Sequence, residues 1–220
     1  MVNILSSSAV YGSTWCREAL QPFFDSTTKV LVIPFSFRDD VDTSEKLSAL
    51  YAPGYGKYYN LVVTPLSALG VKEQNVTFLD YFEKDTQKAL SAIAESDVIY
   101  FTGGLPDKMV ERIADYGIME ALSAFKGVVM GFSAGAMIQL DAYHITPDKD
   151  YPAYCECRGI GYVKQMDVEV HFDGSEVQQR GIDQALRSFG HKVYAIAEDG
   201  LVLVQDGNVE CIGNVTVYGE

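Results

Sequence analysis

The segment that decides the fold is residues 127–137, GVVMGFSAGAM. Residues 127–131 form an apolar run typical of a buried parallel strand, and small residues suited to a tightly packed helix follow. Between them lies Gly131-x-Ser133-x-Gly135. In this strand–turn–helix setting the pattern is typical of a nucleophile elbow, where flanking glycines leave room for a strained serine. The alternative is a tight turn with an incidental serine.

Further apolar runs precede this segment and alternate with helix-length amphipathic stretches. We expect strands at residues 2–6, 29–35, 76–81 and 98–102. We expect helices at residues 46–69, interrupted near Pro53-Gly54, at 86–94, and from Pro106 to include Met119. This alternation predicts an α/β fold, a three-layer sandwich around a mostly parallel sheet with helices on both faces.

The last third of the chain has a different pattern. A strand at 168–171 and a helix at 176–189 precede short strands at 193–197, 201–205 and 209–212. Asp199-Gly200 and Asp206-Gly207 are typical turn residues, so an antiparallel meander is expected at this end. We find neither a linker nor a repeat, and therefore predict one domain over residues 1–220.

Composition narrows the classes of function. The formal net charge is −13 and no stretch concentrates Lys or Arg, which disfavours nucleic-acid binding. Neither a signal peptide nor an apolar run of roughly 18 residues is present, so no membrane association is expected. The four cysteines lack the spacing of a disulfide framework. A cytoplasmic protein is the resulting expectation.

A second glycine-rich turn, Thr102-Gly103-Gly104-Leu105-Pro106, follows the strand at 98–102. Two glycines allow the backbone to approach a ligand and to turn an amide toward it. If this strand neighbours that of Ser133, the amides of Gly104 and Ala134 are candidate oxyanion donors. In isolation, a plain turn followed by proline is an equally good interpretation.

A serine nucleophile needs a general base, and the chain has three histidines: His144, His171 and His191. His171 ends an apolar strand and is the best placed, whereas His144 is assigned to a polar loop. The carboxylates that are candidates to orient the base are Asp141, Asp148, Asp173 and Glu198. The spacing of these residues in the sequence does not show which of them orients the base.

Two other patterns are weak. Cys155-x-Cys157 lacks the further ligands of a closed zinc site, so no metal or cofactor is predicted. The tyrosines at 51, 55, 58 and 59 are interpreted as packing residues, with a pocket lining as the alternative.

Taken together, the motifs resemble peptidase family S51, the dipeptidase E and cyanophycinase group, which shares the class I glutamine amidotransferase-like fold. The matching segments are Leu5-Ser6-Ser7-Ser8, Ile33-Pro34-Phe35, Tyr100-Phe101-Thr102-Gly103-Gly104, Gly131-Phe132-Ser133-Ala134-Gly135-Ala136, Gly159-Ile160-Gly161 and Asp167-Val168-Glu169-Val170-His171-Phe172. Glutaminases of this fold use cysteine at the elbow, where this chain has serine.

The resemblance implies roles for individual residues. The nucleophile falls on Ser133, the base on His171, and the oxyanion amides on Gly104 and Ala134. The third member falls on either Asp148 or Glu198. Glu198 fits the physical argument better, because it ends a predicted strand at the same sheet edge as His171.

The family's basic residues for an acidic substrate side chain fall near His144 and Arg180, without a secure match. After Gly104 this chain has Leu105-Pro106-Asp107 in place of the polar residues that peptidase members usually carry there. A preference for N-terminal aspartate is therefore not indicated.

The expected function is serine-type hydrolysis of short peptides by a monomer or homodimer, with a small peptide as substrate. Two alternatives stay open at this point. One is an amidase or esterase acting on another small substrate, and the other is a catalytically silent binding or regulatory protein of the same fold.

Overall fold

The strands and helices alternate along most of the chain, as the apolar periodicity predicts. A computed structural model describes residues 1–219. The strands are β1 (Val2–Ser6), β2 (Val30–Ile33), β3 (Val76–Phe78), β4 (Val98–Phe101), β5 (Val128–Phe132), β6 (Ala142–Ile145), β7 (Cys155–Arg158), β8 (Met166–Glu169), β9 (Lys192–Gln205) and β10 (Asn208–Tyr218). The helices are α1 (Thr14–Leu20), α2 (Ser44–Tyr51), α3 (Tyr59–Ala68), α4 (Thr86–Glu95), α5 (Pro106–Asp115), α6 (Met119–Ala124), α7 (Ala134–Met137) and α8 (Glu176–Phe189).

The central sheet has the strand order β10-β9-β1-β5-β4-β2-β3. Neighbours from β1 to β3 pair in parallel, whereas β9 is antiparallel to both β1 and β10. β8 pairs in parallel with the first residues of β9. A small separate sheet consists of the antiparallel pair β6 and β7. The predicted fold class, a mostly parallel α/β sheet with an antiparallel C-terminal end, is confirmed.

The central strands bury both faces, which makes the molecule three-layered. Along β4, Ile99 and Phe101 belong to one apolar cluster with residues of α4, α5 and α6, while Val98 and Tyr100 belong to another with residues of α1, α2 and α3. Successive side chains of a strand point to opposite faces, so near-continuous apolar runs are what a doubly covered sheet requires.

Several predicted boundaries differ from the structure. β3 ends at Phe78, and β8 ends at Glu169, two residues before His171. Residues 193–205 form one strand, because β10 pairs with it along its length; a bulge between Gly213 and Val215 accommodates Asp199-Gly200, so no turn occurs there. The predicted helix from Pro106 through Met119 ends at Asp115, and Gly117, with φ +79°, separates it from α6. The predicted interruption near Pro53 and turn at Asp206-Gly207 are confirmed.

Within residues 1–219, none of the helices combines the length and the hydrophobicity needed to cross a bilayer.

Candidate active site

Ser133 lies at the sharp turn between β5 and α7. Its backbone has φ 52° and ψ −120°, a conformation that an L-residue adopts only when its surroundings enforce it. Its amide donates to the carbonyl of Ser6 at 2.8 Å. A Cβ at Gly135 would lie 2.2 Å from the carbonyl oxygen of Phe101, so this position tolerates only glycine. The elbow predicted from the sequence is thus present as a strained, tightly packed turn.

His171 follows β8 and reaches the serine. Its ring Nε2 lies 2.9 Å from Ser133 Oγ. Its backbone is also left-handed, with φ 54°, and its amide donates to Ser7 Oγ at 2.8 Å. The side chain is 46% exposed, so the ring remains in contact with solvent.

Glu198 is the carboxylate that contacts the other ring nitrogen. Its Oε1 lies 2.5 Å from His171 Nδ1, and its Oε2 accepts a hydrogen bond from the Ser8 hydroxyl. Partial burial raises the pKa of Glu198, but the bonds from Ser8 and His171 and the His171 charge lower it below its ordinary value. Glu198 therefore stays ionised at neutral pH and holds a proton on Nδ1, which leaves Nε2 as the acceptor facing the serine.

The long strand β9 explains why His171 and Glu198 meet. Its first part pairs with β8 up to Ala195, and its last part pairs with β1 from Leu201 onward. Glu198 lies between these two paired regions, beside the end of β8 where His171 follows. A prediction from local pattern placed Glu198 at a strand end, but the strand continues through it.

The consecutive serines after β1 hold all three groups in place. The carbonyl of Ser6 accepts from the Ser133 amide, Ser7 Oγ accepts from the His171 amide, and the Ser8 hydroxyl donates to Glu198. Ser7 also donates to the carbonyl of Ile196 at 2.6 Å, which ties it to β9. Reasoning from the sequence did not find this function of residues 6–8, although three polar residues at the carboxyl end of a central strand are a usable signal.

The other candidate carboxylates bond elsewhere. Asp148 Oδ1 accepts from the amides of Asp150 and Tyr151, at 2.7 and 2.8 Å, and so stabilises its own loop. Asp173 accepts from the Ser175 amide, and Asp141 Oδ1 is buried without a hydrogen-bond partner among the described residues. Of the two carboxylates implied by the resemblance, the structure brings Glu198 to His171 and leaves Asp148 in the wall of the neighbouring cavity.

The turn after β4 lies against the elbow. A Cβ at Gly103 would lie 3.2 Å from the Ser133 Cβ, and one at Gly104, with φ +144°, would lie 2.2 Å from the Ser36 carbonyl oxygen. Within residues 1–219, neither the Gly104 amide nor the Ala134 amide donates a hydrogen bond to a side chain or to a carbonyl in a turn, loop or cap. An oxyanion site requires free amides near the nucleophile, so Gly104 and Ala134 remain the candidate donors.

His144 differs from the sequence-based expectation. It lies in β6, fully buried, and not in a polar loop. Its Nδ1 is 2.6 Å from Asp167 Oδ2 and its Nε2 is 2.7 Å from Glu169 Oε2. Burial lowers the pKa of His144, but the bonds and charges of the two carboxylates outweigh burial and raise the pKa to about 10. Because residues i and i+2 of a strand point to the same face, Asp167 and Glu169 lie on one face of β8. The spacing of these two residues in the sequence is enough to predict this.

Two cavities border the serine turn. One, of about 280 Å³, is lined by Ser133, His171 and residues of β6, β8 and the 146–151 loop. The other, of about 470 Å³, extends from Gly103 and Phe132 to α2 and α3 and is lined by Tyr51 and Tyr58. Gly104 borders both. Two of the four tyrosines therefore line a pocket, while Tyr59 is buried and Tyr55 is exposed.

No group of three or more His, Cys, Asp or Glu side chains in residues 1–219 is arranged to ligate a metal ion. His144 illustrates the reason, since carboxylates occupy both of its ring nitrogens.

Comparison with known proteins places this site in a family. The family model described as Peptidase family S51 matches residues 3–212. The chain belongs to peptidase family S51. Membership makes it a peptidase of the serine type and a hydrolase, and it confirms the resemblance found in the sequence.

Solved structures agree in fold. A candidate peptidase E from Listeria monocytogenes EGD-e has a TM-score of 0.67 at 17% identity, with 97% of this chain and 98% of that chain covered. A peptidase from an acI-B1 Actinobacterium has a TM-score of 0.67 at 15% identity, with 99% and 93% covered. Among curated proteins, none matches this S51 chain.

Proposed function

We propose that this S51 peptidase hydrolyses short peptides, in the manner of a dipeptidase, with Ser133 as nucleophile, His171 as general base and Glu198 as the group that orients the base. The observation that carries the proposal is the continuous chain from Ser133 Oγ to His171 Nε2 at 2.9 Å and from His171 Nδ1 to Glu198 Oε1 at 2.5 Å. A hydroxyl, an imidazole and a carboxylate in this order supply a nucleophile, its base and the base's orienting group.

The first half of the reaction acylates the serine. His171 Nε2 removes the hydroxyl proton as Ser133 Oγ bonds to the amide carbon, and the amides of Gly104 and Ala134 bind the resulting oxyanion. When the C–N bond breaks, His171 delivers the same proton to the leaving amine. Water then attacks the acyl-serine with His171 again as base, which releases the acid and restores the hydroxyl.

The size of the site supports a short substrate. Cavities of about 280 and 470 Å³ meet at Gly104. Ligand pockets typically measure roughly 300–1,000 Å³, so each cavity suits the few groups on one side of a scissile amide.

The proposal is tested by comparing Ser133→Ala with Ser67→Ala, a matched substitution at an exposed position of α3. With a library of dipeptides as substrates, we expect Ser133→Ala to lose more than roughly 10⁴-fold in kcat/KM and Ser67→Ala to match the wild type. Hydrolysis by Ser133→Ala at the wild-type rate would show that Ser133 is not the nucleophile.

A second measurement separates an active enzyme from a silent binding protein. A fluorophosphonate reacts only with an activated serine, so we expect one adduct per chain, located at Ser133 and lost in His171→Ala. A wild-type protein that neither labels nor hydrolyses any dipeptide would contradict the proposed activity.

A further inference from the structure

The 280 Å³ cavity beside Ser133 and His171 has an acidic lining. Asp148, Glu169 and Asp173 contribute to its wall, while Lys and Arg contribute none of its described lining residues. Asp148 and Asp173 are exposed, whereas Glu169 is almost fully buried in the cavity wall.

His144, the other histidine in this wall, does not make the net charge of the lining positive. Its two ring nitrogens each lie within hydrogen-bond distance of a carboxylate oxygen. Burial lowers the pKa of His144, but these two carboxylates outweigh burial and raise the pKa to about 10, so the ring is an imidazolium at neutral pH. One positive charge against Asp167 and Glu169 leaves the buried trio with one negative charge. Burial of that trio with little water around it makes its charge felt more strongly in the cavity than a surface charge would be.

Glu169 is the member of the trio that borders the cavity. Its side chain is 6% exposed, and both of its bonds, from His144 Nε2 and from the Thr146 hydroxyl, go to Oε2. Oε1 takes part in neither bond. His144 is therefore a positioning residue, which fixes the carboxylate of Glu169 against the cavity.

The two residues that the family resemblance places near an acidic substrate side chain, His144 and Arg180, offer no unpaired cation in this cavity. The imidazolium of His144 is already matched by two carboxylates. Arg180 is 70% exposed on α8, pairs with Glu176 at 3.3 Å, and lies outside the cavity lining. An acidic substrate group entering this cavity would meet like charge without compensation.

We propose that this cavity receives a cationic group of the substrate, an ammonium or guanidinium next to the scissile amide, and that Glu169 selects for it. The inference rests on the proposed peptidase activity and specifies its substrate class. The cation has two sources, the free α-ammonium of the peptide or a basic side chain, and the experiment distinguishes them.

The test measures kcat/KM of the wild-type enzyme for matched dipeptides. One series varies the first residue (Lys-Leu, norleucine-Leu, Asp-Leu), the other varies the second (Leu-Lys, Leu-norleucine, Leu-Asp), and each is made with a free and an acetylated N-terminus. If the cavity binds a side-chain cation, kcat/KM for the lysine peptide should exceed kcat/KM for the aspartate peptide by about tenfold or more in one series. If the cavity binds the α-ammonium, acetylation of the N-terminus should lower kcat/KM by about tenfold or more for every side chain in the series.

Equal rates for lysine and aspartate peptides together with no effect of acetylation would overturn the inference and leave the peptidase activity standing. So would faster cleavage of the aspartate peptides. Failure to cleave any of the peptides would instead count against the activity itself, and the inference would fall with it.

Glu169→Gln tests the assigned residue, because glutamine keeps an oxygen for His144 and removes the charge. Glu210→Gln, on the exposed face of β10, is the control with the same change in net charge. We expect Glu169→Gln to reduce the preference for the cationic substrate about tenfold, mainly through KM, and Glu210→Gln to retain it. An unchanged preference in a folded Glu169→Gln enzyme would contradict the assignment, and the wild-type peptide series stands independently of this variant's folding.

Discussion

Two histidines beside the same cavity contact carboxylates, and they differ in whether one ring nitrogen is left without a carboxylate. His171 has Glu198 on Nδ1 and the Ser133 hydroxyl on Nε2, with nearly half of its side chain exposed. His144 has carboxylates on both nitrogens and is fully buried. A general base needs one nitrogen that can accept and release a proton, and only the first arrangement provides it.

The comparison shows that burial, together with the number of acceptors around the ring, determines whether a histidine has a structural or a catalytic role. With two acceptors, the ring of His144 is fixed as a cation and becomes part of the structure. With one acceptor and one hydroxyl, the ring of His171 is oriented but remains able to exchange its proton. We therefore expect substitution of the His171 carboxylate to affect the chemical step, and loss of the His144 ring to affect stability.

Among changes to the two histidines and their partners, the largest effect on kcat is expected at Glu198, the carboxylate that contacts His171. Glu198→Gln should lower kcat roughly 10³- to 10⁴-fold, because an amide does not hold the proton on His171 Nδ1 or stabilise the imidazolium. If Asp148 were the third member of the triad instead, Asp148→Asn would show the larger loss. Steady-state kinetics of both variants, with Glu210→Gln as the charge-matched control, distinguishes the two assignments.

The buried histidine should control stability. His144→Leu leaves Asp167 and Glu169 unpaired in the interior, which should cost about 3–5 kcal/mol in the free energy of unfolding. The comparison is His171→Leu, where the lost hydrogen bond to Glu198 is partly solvated and the cost should be about 1 kcal/mol or less. Urea unfolding at neutral pH measures both, and equal costs would contradict the contrast between the two sites.

His144 also predicts a pH dependence of stability. Its pKa in the folded protein, about 10, lies above the ordinary value near 6.5, so the fold binds a proton that the unfolded chain releases. This contribution is fully present below about pH 6.5 and is lost progressively as the pH rises toward 10. In the same unfolding experiment, wild type should lose this stability over that range, and His144→Leu should lack that component.

Local sequence signals predict the parts of the site that depend on one segment. The apolar run at 127–131, the flanking glycines and the small residues after Ser133 fix a strand, a strained turn and a helix without reference to the rest of the chain. The same holds for the glycine pair at 103–104. In both segments the local residue types predict the turn, while the contacts that require glycine at Gly135 and Gly104 come from Phe101 and Ser36.

The remaining parts depend on pairing between distant segments. Asp199-Gly200 has the composition of a turn, yet β9 passes through it because β10 supplies hydrogen bonds on both sides of the bulge. The contact of Glu198 with His171 follows from that continuous strand, and no local pattern predicts it. β6 and β7 are likewise absent from the predicted strands, and each is stabilised by pairing with the other in a separate sheet.

The smallest expected effect concerns Ser8, one step removed from the reacting atoms. Ser8→Ala removes the hydroxyl that donates to Glu198 Oε2, so we expect a decrease in kcat of about tenfold. That bond also lowers the pKa of Glu198, so its loss should raise that pKa toward the ordinary value, which an NMR titration of the Glu198 carboxyl measures. Ser67→Ala is the control. A decrease in kcat without a rise in the Glu198 pKa would mean that Ser8 supports the loop around it and not the carboxylate, and the contrast between His171 and His144 would then rest on Glu198 alone.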